Sequence, residues 1–385
     1  MSKSQRSALI ITVTGLMSLF LVAIVGFSQA PNSRIQLTTN PPVGQFYPFE
    51  AEATTPQSPT LLTLTARNPA GELLANSVFK VQIFTPPSTP FLATDFPVVE
   101  GTKLLELSAI APEGKLQLQQ MLPIRGKYKL AVNVSPIVAN QFSPIEQTLT
   151  LEVVENPVKY RNYAILIVVL LAVGIGGGWV MGKQSLPQRG EIAPARVRLL
   201  LSGAVLIAIA CLVVVNVSAE VSNSHAHTHQ SPVEAAAIND SQLKIQISGD
   251  KYATVGKLAN LQVEAVDPKT NQPVTDVVFK LKTTQLENNW IAFAYQGIPD
   301  NMGKLKWQQQ FFDGAPHLLE VEVISNSANS QFKPVAATEE IEVAAVATPI
   351  LIRLISFSYL IGTVIIGLAI GLTSRRSALK PKVNS

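Results

Sequence analysis

Three of the chain's four histidines fall within five residues, at His225, His227 and His229. In an extended segment, side chains at i, i+2 and i+4 leave one face. Three imidazoles could then converge on one ion, and imidazole suits copper, zinc and nickel. Glu220 is the nearest carboxylate, and no fourth ligand is evident in the sequence. His225, His227 and His229 are therefore the candidate metal ligands, with Cu or Zn as the cofactors to consider and none required. The tract fits two other readings equally in kind. One is a solvated polar linker; the other is a linker that titrates near neutrality, as free imidazole does.

The remaining reactive residues point away from catalysis. His317 opens a predicted strand in Gly314-Ala315-Pro316-His317-Leu318, with no motif placing a carboxylate or nucleophile beside it. Its expected role is structural. Cys211 is the only cysteine and lies in an apolar run, where burial raises a thiol's pKa and blunts its reactivity. A lone cysteine also rules out an intrachain disulfide. Serine-hydrolase elbows, His-Glu-x-x-His, phosphate loops and Cys-x-x-Cys pairs are all missing from the sequence. No catalytic residue is assigned, and the chain is not expected to be an enzyme.

The elements that would position the histidines are dominated by apolar runs. A bilayer core takes about 20 mostly apolar residues in a helix. Segments 8–27, 163–182, 199–217 and 349–373 qualify; none holds Asp, Glu or Lys, and only the last holds an arginine, Arg353. Near the outer end of its span, Arg353 can snorkel to the interface. The formal net charge is +4, but the basic residues concentrate at span ends. Lys3 and Arg6 precede the first span, Lys183, Arg189, Arg196 and Arg198 lie between the second and third, and Arg375, Arg376, Lys380 and Lys382 follow the fourth. This is a positive-inside pattern rather than a phosphate-binding face. It predicts a plasma (inner) membrane protein of a bacterium with both termini cytoplasmic, and it excludes nucleic acid as a partner. Residues 27–30 resemble a signal-peptide cleavage site, but Pro31 would follow the cut, so an uncleaved anchor is favoured.

Between the spans the chain repeats itself. Residues 61–83 and 261–283 each hold an alternating strand, a turn at Asn68-Pro69 or Asp267-Pro268, and a strand with Val78-Phe79-Lys80 or Val278-Phe279-Lys280. Gly114-Lys115-Leu116 with Gln119-Gln120 answers Gly303-Lys304-Leu305 with Gln308-Gln309. Short alternating strands between regular turns predict two all-β immunoglobulin-like sandwiches. The fold class is thus a duplicated sandwich combined with four transmembrane helices. The expected order is an anchor (1–30), sandwich (31–158), span (159–183), cytoplasmic loop (184–198), span (199–218), His-containing linker (219–241), sandwich (242–347), span (348–374) and cytoplasmic tail (375–385). Residues 31–60 read as an extended lead-in, with Phe46, Tyr47 and Phe49 as docking aromatics. Gly174, Gly178 and Gly182 in the second span, and Gly367 and Gly371 in the fourth, recur four apart. That spacing lets helix backbones approach in lipid.

The strand, Asn-Pro-Ala-Gly-Glu or Asp-Pro-Lys-Thr-Asn turn, Val-Phe-Lys strand and closing Gly-Lys-Tyr-Lys-Leu-Ala-Val-Asn-Val or Gly-Ala-Pro-His-Leu-Leu-Glu-Val-Glu-Val resemble the YtkA-like and FixH-like membrane-tethered sandwiches. That resemblance implies a helper role around copper or oxidase assembly. Segment 85–94 carries no Met or His, so such a role would fall to His225, His227 and His229. The leading expectation is a non-enzymatic scaffold that presents its sandwiches outside the membrane to a membrane or periplasmic protein. Uncovered sheet edges would be the contact surface. The alternative is Cu or Zn capture and delivery.

Overall fold

The computed structural model describes residues 33–50, 57–89, 91–181, 203, 243–326 and 333–378. Span 8–27, span 199–217 apart from Gly203, Gly182, and the cluster His225, His227 and His229 lie outside the described residues.

The first repeat forms β1 (Arg34–Asn40), β2 (Thr60–Arg67), β3 (Ser77–Phe84), β4 (Lys103–Ala111), β5 (Lys115–Gln120), β6 (Gly126–Pro136) and β7 (Ile145–Val153). Helix α1 (Pro157–Met181) follows. The second repeat forms β8 (Lys244–Gly249), β9 (Tyr252–Thr254), β10 (Leu258–Val266), β11 (Val277–Gln285), β12 (Ile291–Gly297), β13 (Lys304–Gln310), β14 (His317–Ser325) and β15 (Val335–Ala344). Helix α2 (Ile350–Ala378) follows. The strands alternate buried and outward positions, so that Phe79, Val81 and Ile83 of β3 and Phe279 and Leu281 of β11 line the core.

Turn chemistry agrees between the repeats. The Asn68 side chain accepts from the Glu72 amide at 2.9 Å, and Asp267 accepts from the Lys269 amide at 2.8 Å. Short polar side chains that bond the backbone just ahead nucleate such turns. Hydrogen bonds from the Lys269 and Thr270 amides hold the Asp267 carboxyl below its usual pKa. Gly114 and Gly303 both take positive φ, and a Cβ on Gly114 would meet Leu74 O at 2.6 Å. Only glycine combines that conformation with that approach.

The repeats do not fold into two separate sandwiches laid side by side. Their strands merge into two shared sheets, ordered β1-β2-β5-β12-β11-β14-β15-β9 and β7-β6-β3-β4-β13-β10-β8. Each sheet takes the short half of one repeat and the long half of the other. One seam joins β5 to β12, pairing Leu118, Gln119 and Gln120 with Tyr295, Ala294 and Phe293. The other joins β13 to β4, pairing Trp307, Gln308 and Gln309 with Leu107, Glu106 and Leu105. Leu118, Gln119 and Gln120 hold the same repeat positions as Trp307, Gln308 and Gln309. The seams are therefore related by an internal pseudo-twofold. Strands β4, β5, β12 and β13, which isolated sandwiches would offer as edges, are consumed by this pairing. The outermost strands are β1, β7, β8 and β9.

Three expectations need correction. The lead-in is not merely extended, because Arg34–Asn40 pairs with β2 over its whole length. Phe46 and Phe49 are core residues rather than docking aromatics; of the three, only Tyr47 is exposed. Strand β9 adds a parallel partner to β15 that no periodicity announced.

Helices α1 and α2 are long and apolar enough to cross a membrane, and most of their surface faces outward. Asn156 caps α1 by accepting from the Val158 amide at 3.0 Å, with Pro157 at the first helical position, where its missing amide costs nothing. The two helices pack against each other at their glycines.

Candidate functional site

The seam shapes the surface on both sides of the sandwich. On the eight-stranded sheet it opens a groove of about 600 Å³ lined by residues of both repeats, among them Gln117, Gln119, Ala294, Gln296 and Ala336. Its rails are cross-strand ion pairs: Lys280 to Glu322 at 3.0 Å and Lys282 to Glu320 at 2.6 Å. All four side chains are over a third exposed, so each pair adds little stability. A related groove of about 500 Å³ crosses the other seam, where Lys80, Glu106, Gln308 and Lys306 meet. There Lys103, Gln82 and Lys80 hold the Glu106 carboxyl below its usual pKa, with the Lys103 hydrogen bond at 2.6 Å the largest cause.

What these grooves can do is bind rather than react. In the first groove two lysines balance two glutamates, the second keeps one lysine in excess, and among the described residues neither is lined by a nucleophile–base pair. Sheet faces crossing a seam offer alternating side chains and amide groups, suited to a partner's polar surface or an extended segment.

Beneath the seam an aromatic cluster ties the repeats together. Phe49 of the first repeat packs on Trp290 and Phe312 of the second, at centroid separations of 4.5 and 5.3 Å. Trp290 and Phe312 stack at 5.0 Å. The Phe49 amide donates to Leu122 O, fixing the ring's entry. Polar cross-ties add to this. Met121 N donates to Ala292 O at 2.9 Å, Gln120 Nε2 donates to the same carbonyl at 3.3 Å, and Gln310 Nε2 donates to Thr102 Oγ1 at 2.9 Å.

His317 is wholly buried beside this cluster, edge-on to Trp290 at 5.8 Å and 4.6 Å from Phe311. Its Nδ1 lies 2.8 Å from Ala315 O, which places the proton on Nδ1. Burial pushes its pKa down to about 4. Among the described residues its neighbours are aromatic rings and a backbone carbonyl, so this neutral imidazole is a core group. Its counterpart in the first repeat is Tyr128, whose hydroxyl donates to Ile124 O at 2.7 Å and accepts from Ile124 N at 3.0 Å. Each residue bonds the loop entering its own strand, β6 for Tyr128 and the equivalent β14 for His317.

Gly174 and Gly178 of α1 meet Gly367 and Gly371 of α2. A Cβ on Gly174 would sit 2.5 Å from Val364 O, and one on Gly367 2.6 Å from Leu171 O. Gly176 faces open space. Among the described residues, no group of three or more His, Cys, Asp and Glu could hold a metal ion. The seam and the aromatic cluster at the helix end of the sandwich were missed by sequence reasoning. Their only prior signals were Gln119-Gln120 and Gln308-Gln309, repeated polar pairs that end otherwise alternating strands.

No family model matches the chain, and no curated protein matches it. Among solved structures, the chain is similar to the D0-D1 domain of intimin, at 13% identity over 80% of this chain and 97% of that one, with a TM-score of 0.19. Invasin, a bacterial integrin-binding protein, is 9% identical over 82% and 40%, with a TM-score of 0.19. An Escherichia coli alpha-2-macroglobulin activated by porcine elastase is 8% identical over 82% and 24%, with a TM-score of 0.24. TM-scores of this size carry no argument about fold or function.

Proposed function

We infer that the chain is a non-catalytic membrane scaffold. Its two repeats act as one platform held outside the plasma membrane of a bacterium, with both termini cytoplasmic, for a membrane or periplasmic protein partner. The observation that carries this is the paired three-residue seam, repeated in both sheets. Fused through both sheets and again through its helices, the described body gives one repeat little freedom to close against the other. It is built to hold a surface still. The partner's contact is the eight-stranded groove between Lys280, Glu322 and Ala294, where the seam supplies residues from both repeats.

A photoreactive residue at Ala294, compared with one at Asn133 on the far sheet, tests this in native membranes. The scaffold reading requires a discrete adduct from Ala294 and none from Asn133. A chain that crosslinks only to itself, or equally from both positions, contradicts it.

Metal handling is the second reading, supported by the i, i+2, i+4 spacing of His225, His227 and His229 and by the YtkA-like and FixH-like resemblance. Titrating the full chain in detergent with Cu and Zn, with and without His→Ala at the three positions, separates the two. Binding that survives all three substitutions removes the cluster from the account.

A further inference from the structure

The two repeats differ most at the end of the sandwich nearest the helices. Between β11 and β12 the second repeat spends only residues 286–290, whereas the first repeat fills the equivalent connection with 85–102. The longer loop is a built structure. Thr85 Oγ1 donates to Val99 O at 2.5 Å, and Glu100 accepts from the Thr94 amide at 2.8 Å and from Thr94 Oγ1 at 2.7 Å. Arg125 donates to Leu92 O at 3.0 Å while pairing with Glu155 at 2.7 Å.

This framework pushes two apolar side chains outward. Phe91 is 70% exposed and Leu92 67%, an arrangement that costs free energy in water. The loop is also pinned to both helices. Asp95 pairs with Lys159 in the first turn of α1, and Phe91 O accepts from Tyr359 Oη at 2.9 Å. Tyr359 stands nine residues into α2, which is roughly 13 Å along the axis. Helical side chains lean toward the N-terminus, so its hydroxyl reaches back toward the sandwich by part of that distance. The loop tip therefore lies beside the apolar helix, below the level of Arg353. The exposed Tyr160 and Tyr163 stand in the first two turns of α1, and tyrosines favour the headgroup boundary.

We propose that Phe91 and Leu92 insert into the outer leaflet of the bilayer as a third attachment beside α1 and α2. Lipid is the occupant because the patch is continuous with the outward-facing apolar surface of the helices, and because its polar rim is tied to residues at the helix ends. The wedge fixes the platform's height and tilt against the membrane. The inference rests on the reading that α1 and α2 span.

The test uses full-length protein with Cys211→Ala, reconstituted in phosphatidylcholine vesicles carrying spin-labelled lipid. An environment-sensitive fluorophore is placed by Phe91→Cys, by Met302→Cys at the distal turn, or by Val169→Cys in mid-α1. Met302 and Val169 are 61% and 64% exposed, so all three sites accept a label without repacking. The expected result is loss of emission at position 91 with shallow spin-labelled lipid, loss at 169 with deep spin-labelled lipid, and no loss at 302. If 169 is quenched and 91 behaves like 302, loop insertion is overturned alone. If 169 is not quenched, the spanning reading falls and the insertion with it.

Discussion

Gly174 and Gly367 face each other so closely that a methyl group on Gly174 would lie 2.9 Å from the Gly367 Cα, and one on Gly367 3.0 Å from the Gly174 Cα. The reciprocity is the point: the two residues hold equivalent places in the two repeats. The same symmetry relates the seams above them. Two sequence repeats that could have folded as two beads instead form one body, closed on itself like a dimer inside a single chain.

The helix contact predicts a contrast within one turn. Gly178→Leu drives a side chain into Leu368 of the facing backbone, whereas Gly176→Leu enters open space. Overpacking typically costs about 1–3 kcal/mol. Thermal unfolding in detergent should show a clear loss for Gly178→Leu and little change for Gly176→Leu. Equal losses would place the contact elsewhere.

Phe49→Ala removes a ring that the second repeat depends on. Emptying a buried aromatic site costs about 3–5 kcal/mol. Because Phe49 lies 4.5 Å from Trp290, the change should also appear as a shift in tryptophan emission. Loss of stability without any spectral shift would mean that the repeats are not joined through this cluster.

Acid should weaken the fold through His317. Its folded pKa of about 4 lies below the ordinary 6.5. Above pH 6.5 the group is neutral in both states and has no effect. As pH falls toward 4, the unfolded chain takes up a proton that the folded chain refuses, and stability drops by up to about 3 kcal/mol. Nearby Asp313 works in the opposite sense, since burial raises its pKa and its protonation favours the folded state as pH falls. The useful quantity is therefore the difference between the native chain and His317→Phe. The variant should lose the slope between pH 6.5 and 4; an unchanged slope would show that His317 is not its source.

Much of this was legible in the sequence, for identifiable reasons. The turns at Asn68 and Asp267 and the alternating strands announce themselves through side chains, because turn formers and buried faces impose residue types. Helices α1 and α2 were visible because an apolar run admits few other structures. The seam was not visible, because lateral pairing is made by backbone groups that every residue carries. Three-residue contacts such as Leu118–Gln120 against Phe293–Tyr295 impose no period. Strand β1 was hidden by its composition: of the inward-facing Ile35, Leu37 and Thr39 only two are apolar, in a stretch of polar residues. The expectation that Phe49 docks a partner failed because an aromatic in a polar segment looks the same whether its pocket belongs to another protein or to the chain's own second repeat.

The fused platform is tested most directly by closing a disulfide across one seam. Gln119 and Ala294 are register partners on the outer face of β5 and β12, and facing Cα atoms in antiparallel strands lie about 4.5–5.5 Å apart, within reach of an S–S bond. In a Cys211→Ala background, Gln119→Cys with Ala294→Cys should oxidise within one chain in native membranes, and Gln119→Cys with Gln296→Cys should not. Failure of the first pair to close, or closure only between chains, would contradict the single-body account.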